Sequence, residues 1–208
     1  MRSNMANPNI IPPHDSRSIV VGKTDSGKST LSIKLLEVFE NDGSSIIVLD
    51  PKCSRTLSVY PNTDIPGELN RLSKEHPIVV YRAAPDIEGI DHWDVVLKWV
   101  YDRQNTVLCI DELFGLSDNG YTYPKWLKGI YTRGRERGIT VIGQSQRPKG
   151  IPRYCKTETE GAYIFQLDID DRTDMSREFG KEILIPPEEH AFWFSYKRSK
   201  PIQLRLKL

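Results

Sequence analysis

The chain has 208 residues and a mass of 23.9 kDa, which suits one α/β domain with a full hydrophobic core and leaves little room for a second catalytic domain. Lys+Arg 29 against Asp+Glu 28 gives a formal net charge of +1, so the molecule is no polycation and nucleic-acid contact requires a local basic patch. Cys53, Cys109 and Cys155 show no CxxC pairing and the four histidines no zinc-ligand spacing, which argues against a zinc module and fits a reducing compartment.

Residues 1–15, with Pro8, Pro12 and Pro13, predict an extended arm ahead of a single α/β domain over 16–208. From Ser18 the pattern alternates: SIVV as a strand, Ser29 to about Glu40 as a helix, then strands at SIIVLD (45–50) and PIVVYR (77–82). Asp91 is expected as the N-cap of a second helix, with Trp93, Val96, Leu97 and Val100 on its buried face. The strand TVLCID (106–111) follows, then a helix from about Pro124 to Arg137 with Gly138 just past its end. ITVIG (139–143) and AYIFQL (162–167) read as strands, and FWFSY and IQLRLKL, separated by KRSKP, predict a terminal β-hairpin. Asp168, Asp170, Asp171 and Asp174 lack the glycine and final glutamate of a calcium loop and read as a solvated, helix-capping turn. Apolar strands alternating with helices imply a mostly parallel sheet covered on both faces. No run approaches the roughly 18 apolar residues of a membrane span, and the first residues lack a signal-peptide layout. A soluble, intracellular protein is the expectation.

Gly22, Lys23, Thr24, Asp25, Ser26, Gly27, Lys28 and Ser29 fit G-x-x-x-x-G-K-[ST] between a predicted strand and a predicted helix, the context a phosphate-binding loop requires. Backbone N–H groups there, through Thr30 at the helix start, converge on a phosphate that the helix dipole also favours. Lys28 is expected on the β- and γ-phosphates and the Ser29 hydroxyl on Mg²⁺. Asp25 is unusual in such a loop, but Asp enters left-handed backbone geometry more readily than most residues. Asp111-Glu112 end an apolar strand in the Walker B manner, with Asp111 a second Mg²⁺ ligand through water and Glu112 the general base. These residues point to binding and hydrolysis of ATP with Mg²⁺; no N-K-x-D pattern supports a guanine nucleotide. Gln144, Ser145 and Gln146 end the next strand, where an amide could position water.

With these residues in place the chain resembles the FtsK/HerA superfamily of DNA-pumping ATPases, and most of all the genome-packaging ATPases of tailless, membrane-containing double-stranded DNA viruses. GKTDSGKS is similar to the family's G-x-T-G-S-G-K-S with Asp25 in place of a glycine. Asp50-Pro51-Lys52 is similar to its D-P-K signature, and Gly134-Arg135-Glu136-Arg137-Gly138-Ile139 with Gln146-Arg147-Pro148 to its G-R-x-x-G-I and Q-R-P pattern. The resemblance implies a RecA-like fold, Gln146 as sensor, and Arg135, or second Arg133, as an arginine finger reaching a neighbouring subunit's γ-phosphate. It further implies a hexameric ring on double-stranded DNA, docked on a capsid vertex or a vertex membrane protein, in the virion and the host cytoplasm.

DNA contacts would need cations on pore-facing loops, and residues 115–129, with Lys125 and Lys128, are the candidate segment. Lys197, Arg198, Lys200, Arg205 and Lys207 form a basic tail that could face DNA, capsid or solvent. Two other functions stay open: a P-loop kinase of a small molecule or nucleotide, to which a water-activating Glu112 brings nothing, and a non-motor switch ATPase, for which Lys23 is the one argument.

Overall fold

A computed structural model describes residues 10–86 and 89–205. Its elements run β1 (Arg17–Val21), α1 (Lys28–Asn41), β2 (Ile46–Leu49), β3 (Asn62–Thr63), α2 (Leu69–Glu75), β4 (Ile78–Tyr81), α3 (Ile90–Arg103), β5 (Thr106–Ile110) and α4 (Lys125–Arg133). They continue with β6 (Ile139–Ser145), α5 (Arg153–Thr157), β7 (Gly161–Ile164), α6 (Ile169–Phe179), β8 (Ala191–Tyr196) and β9 (Ile202–Arg205). All nine strands form one sheet in the order β3-β4-β2-β5-β6-β1-β7-β8-β9. β3 through β7 pair in parallel, and β8 and β9 add an antiparallel edge, the expected terminal hairpin.

The parallel strands are apolar at every position because both faces are covered, and the strand period of two divides them between two cores. Val20, Val48, Val80 and Cys109 face α1, which presents Leu31, Leu35, Leu36 and Phe39. Ile19, Val21, Leu49 and Ile110 face the other side, where α3 contributes Trp93, Val96, Leu97 and Val100, α4 Leu127 and Ile130, and α6 Met175 and Phe179. The apolar set expected on the second long helix is thus its buried face.

Several boundaries differ from expectation. Asp91 is not the N-cap of α3: the Gly89 carbonyl accepts the first helical bond, from Trp93 N at 3.0 Å, so Gly89 caps and Asp91 lies in the first turn, where its charge complements the helix dipole. The helix expected to reach Arg137 ends at Arg133, and a 3₁₀ turn over Gly134–Arg137 closes it before Gly138, whose φ of 66° is left-handed. The strand expected over 162–167 stops at Ile164, because Gln166 turns to accept a bond from Lys23 N in the phosphate loop at 2.8 Å. The acidic run does lead into a helix, with exposed Asp168 at the N-cap position of α6 though without a side-chain capping bond, but Asp174 is no part of a solvated turn: it pairs at 2.6 Å with Lys156, a buried lysine whose charge requires a partner.

Of the N-terminal arm, residues 1–9 lie outside the described set, as do Lys207 and the end of the IQLRLKL segment. The arm's final residues lie against the sheet, with Asp15 N donating to the Thr140 hydroxyl at 2.8 Å and the Tyr163 hydroxyl to the Ile10 carbonyl. Among the described residues no helix is long and apolar enough to cross a membrane.

Candidate functional site

Because β1, β2 and β5 to β7 are parallel, the segments that leave their carboxyl ends meet along one edge of the sheet. The phosphate loop leaves β1, Pro51-Lys52 follow β2, Asp111-Glu112 follow β5, Gln146 follows β6 and Asp168 follows β7.

The loop is held at both sides: Gly22 N donates to the Ser145 carbonyl at 3.2 Å and Lys23 N to the Gln166 carbonyl at 2.8 Å. A β-carbon on Gly22 would lie 2.6 Å from Phe165 Cβ and 2.7 Å from Ser26 Oγ, so the chain can enter the loop only as glycine. Asp25, at φ 60°, and Gly27, at φ 103°, supply the left-handed turns, and the Asp is accommodated in the way its residue type permits. Lys28 is buried and donates to the Lys23 carbonyl at 2.7 Å within the loop. Burial, and next the like charge of Lys52, pull its ammonium down to about 8.

Register brings the acids to the loop. Ile110 pairs with Gly143, so Asp111 falls beside Gln144, whose amide donates to Asp111 Oδ1 at 3.1 Å. Burial, and next the charge of Asp50, push the Asp111 carboxyl up to about 6. Asp50 is itself fully buried and neutralised by Arg82 Nε at 2.8 Å. Glu112 is buried and accepts from Gln146 N at 3.2 and 3.3 Å, from Phe114 N at 3.4 Å and from Lys52 Nζ at 2.5 Å. Ser29 is exposed at the start of α1. Among the described residues no cluster of three or more His, Cys, Asp or Glu forms a self-sufficient metal cage. One serine hydroxyl and one carboxylate are a fitting set of hard oxygen donors for Mg²⁺ that retains waters and phosphate oxygens as its other ligands.

Two recesses flank the loop. One of about 380 Å³ is lined by Asp25, Gly27 to Thr30, Thr56 and His190, the last delivered by the turn that enters β8. The other, of about 930 Å³, lies on the far side of the loop, where Thr24 and Gln146 face Tyr121, Arg147 and Asp171. Lys23 also borders it and is tied to Asp168 at 2.6 Å.

Other expected site residues lie elsewhere. Arg133 and Arg135 precede β6, whose seven residues separate them from the loop edge by about 20 Å. Arg135 is ion-paired with Glu160, whereas Arg133 is exposed and makes no ion pair among the described residues. The segment 115–129 is not one loop: Ser117 and Asn119 organise a turn, and Lys125 already begins α4. Lys125 and Lys128 are exposed one helical turn apart, and Lys125 lies 3.9 Å from Asp94. Tyr121, 92% exposed, is the projecting aromatic, while Tyr123 is anchored by donating to the Gly150 carbonyl at 2.7 Å.

Sequence reasoning missed the contacts of Lys52, Gln144, Thr56 and His190. Lys52 and Gln144 were visible as a signature lysine and a polar strand end without an assigned partner; nothing in the sequence marked Thr56 or His190.

No protein-family model matches the chain. It is similar to the DNA packaging ATPase P9 of Enterobacteria phage PRD1, with 25% identity over 160 residues that cover 76% of this chain and 66% of that protein. The chain thus spans just under two thirds of that relative's length. Among solved structures it resembles the genome packaging NTPase B204 from Sulfolobus turreted icosahedral virus 2 in complex with sulfate, at a TM-score of 0.78 and 17% identity over 95% of this chain and 99% of that one. The same protein in complex with ATP-gammaS matches at a TM-score of 0.78 and 17% identity over 93% and 98% of the two chains. VirB4 of Thermoanaerobacter pseudethanolicus matches at 0.69, with 13% identity over 92% of this chain and 89% of its own. The fold is that of a P-loop NTPase.

Proposed function

We propose that the chain is an ATP-hydrolysing double-stranded DNA translocase, the motor that pumps a viral genome into a preformed capsid. The observation that carries the enzymatic half is the buried carboxylate of Glu112, held by a neighbouring strand's N–H at the edge of a phosphate loop. A base in that place serves attack by water; a kinase would need it beside the hydroxyl of a bound acceptor instead. Similarity to P9 along most of the chain supports the packaging half. Lys23, the one argument for a switch ATPase, is engaged within its own chain by Asp168.

The β- and γ-phosphates occupy the loop, with Lys28 leaving the Lys23 carbonyl for them. The base and ribose lie in the smaller recess between Thr56 and His190. Ser29 and, through water, Asp111 would hold Mg²⁺, which neutralises phosphate charge. Glu112 accepts a proton from water as its oxygen bonds to the γ-phosphorus, and the bond to the ADP oxygen breaks. Gln146, at the end of β6 and bordering the larger recess, is placed to sense that change.

Arg133 and Arg135 lie too far from their own loop to act there, which supports an arginine supplied to the next subunit of a hexameric ring. Residues 16–208 act as one ATPase domain, Tyr121, Lys125 and Lys128 line the DNA path, and a capsid vertex or vertex membrane protein holds the ring at the virion in the host cytoplasm.

The test is steady-state ATP hydrolysis with and without linear double-stranded DNA, using Glu112→Gln as the blank. DNA stimulation that is absent from the variant is expected. Turnover accompanied by transfer of phosphate to an acceptor other than water would replace the motor with a kinase.

A further inference from the structure

We propose that Lys52 is a γ-phosphate ligand that is parked on the general base until ATP arrives, so that one ammonium both distinguishes ATP from ADP and releases Glu112 for catalysis. The proposal rests on Glu112 being the base. It starts from the loop that carries the lysine. β2 pairs with β5, and Asp111 N donates to the Leu49 carbonyl at 2.9 Å, so the residues leaving β2 lie directly beside the two acids. Buried Asp50 accepts from Ser54 N at 2.9 and 3.0 Å as well as from Arg82, and Cys53 takes a left-handed φ of 51°. The turn is therefore fixed at its root, while the Lys52 side chain is 37% exposed and keeps a flexible stem.

The Glu112 carboxylate has no oxygen to spare. Oε1 accepts from Phe114 N and Gln146 N, and Oε2 accepts from Gln146 N and from Lys52 Nζ at 2.5 Å. Three of these contacts come from backbone or fixed loops; the ammonium is the one partner on a flexible stem. A base that activates water must offer a lone pair in that direction, so Lys52 has to leave before Glu112 can act.

Electrostatics supply the destination. Lys28 feels Lys52 as a repelling charge and Glu112 and Asp111 as attracting ones, so two ammonium groups and two carboxylates share one space. A γ-phosphate brings about two negative charges into it and competes directly with a single carboxylate for Lys52. ADP lacks that group, and after phosphate release the ammonium returns to Glu112.

The experiment measures binding of Mg-AMPPCP and Mg-ADP by calorimetry to wild type, Lys52→Ala, Lys52→Arg, Glu112→Gln and the Lys52→Ala/Glu112→Gln double variant. Lys52→Ala is expected to weaken AMPPCP about tenfold or more, the size of a lost charge-assisted contact, while ADP stays within about twofold. Lys52→Arg should keep most of the preference for AMPPCP. Glu112→Gln should tighten AMPPCP, and the double variant should lose that gain. Equal weakening of both nucleotides, as a merely structural lysine would produce, or no change in their ratio, overturns the proposal. Failure of the underlying assignment has a different signature: undiminished hydrolysis by Glu112→Gln, whatever Lys52→Ala does to the ratio of affinities.

Discussion

The Gln144 side-chain amide donates to the Asp111 carboxylate at 3.1 Å across two neighbouring strands. Just beyond it, the Gln146 backbone N–H holds Glu112 at 3.2 Å. Gln144 near the end of β6 and Gln146 just past it thus serve the two acids that follow β5, one by side chain and one by main chain. A partner that orients a metal-binding carboxylate is worth about 10- to 100-fold in metal affinity. Gln144→Leu should therefore raise the Mg²⁺ concentration that half-saturates hydrolysis by about tenfold, with turnover largely recovered at high Mg²⁺. An unchanged Mg²⁺ titration would deny Gln144 this part.

Lys28 and Glu112 should separate binding from chemistry. Lys28→Ala is expected to abolish detectable nucleotide binding, since its ammonium is the loop's buried cation. Glu112→Gln should bind ATP yet lower turnover by about 10²- to 10⁴-fold, the usual worth of a general base. Equilibrium binding beside single-turnover hydrolysis checks both.

Arg135 must break its ion pair with Glu160 to reach another subunit, whereas Arg133 starts without one among the described residues. Arg135→Ala should leave ATP binding intact and reduce assembly-dependent hydrolysis on the order of 10³-fold, as expected for a missing arginine finger. Mixing Arg135→Ala with Glu112→Gln subunits should restore part of the activity. If only Arg133→Ala shows this behaviour, the finger is Arg133.

His190 is the aromatic side chain on the wall of the smaller recess. Loss of a ring contact worth about 1 kcal/mol should raise KM for ATP roughly fivefold in His190→Ala, with little change in kcat. Inhibition by inorganic tripolyphosphate, which has no base, should be unaffected. Equal losses for both ligands would move the base elsewhere.

Gly143 sits in β6 beneath α4. A β-carbon there would overlap the Tyr131 hydroxyl and lie 2.8 Å from Leu113 Cδ1. Gly143→Ala should cost about 1–3 kcal/mol of stability through overpacking. A lowered thermal midpoint measures it; an unshifted midpoint would mean that the two side chains relax without penalty.

The parallel core strands were legible because each is a short apolar run buried on both faces, and the phosphate loop because its eight residues are contiguous. Asp25 and Gly27 take the left-handed angles that their residue types allow. Small elements were not legible. β3 has two residues, and α5 has five, too few for a period to register. α6 hid behind a run of acids, since only Met175 and Phe179 of its eleven residues are buried apolar positions.

By itself the sequence determined the fold class and pointed to the chemistry: a phosphate-loop pattern and a strand that ends in two acids, each written in neighbouring residues of the chain. Tertiary structure alone decided how these parts are joined. Strand register set Gln144 on Asp111 and Gln146 on Glu112, pairing of β2 with β5 brought Lys52 to Glu112, and entry into β8 brought His190 to the loop. The length of β6 removed Arg133 and Arg135 to the opposite edge. Motifs written in consecutive residues survive any packing, whereas a contact across 60 residues, such as Lys52 with Glu112, exists only once the sheet has aligned its strands.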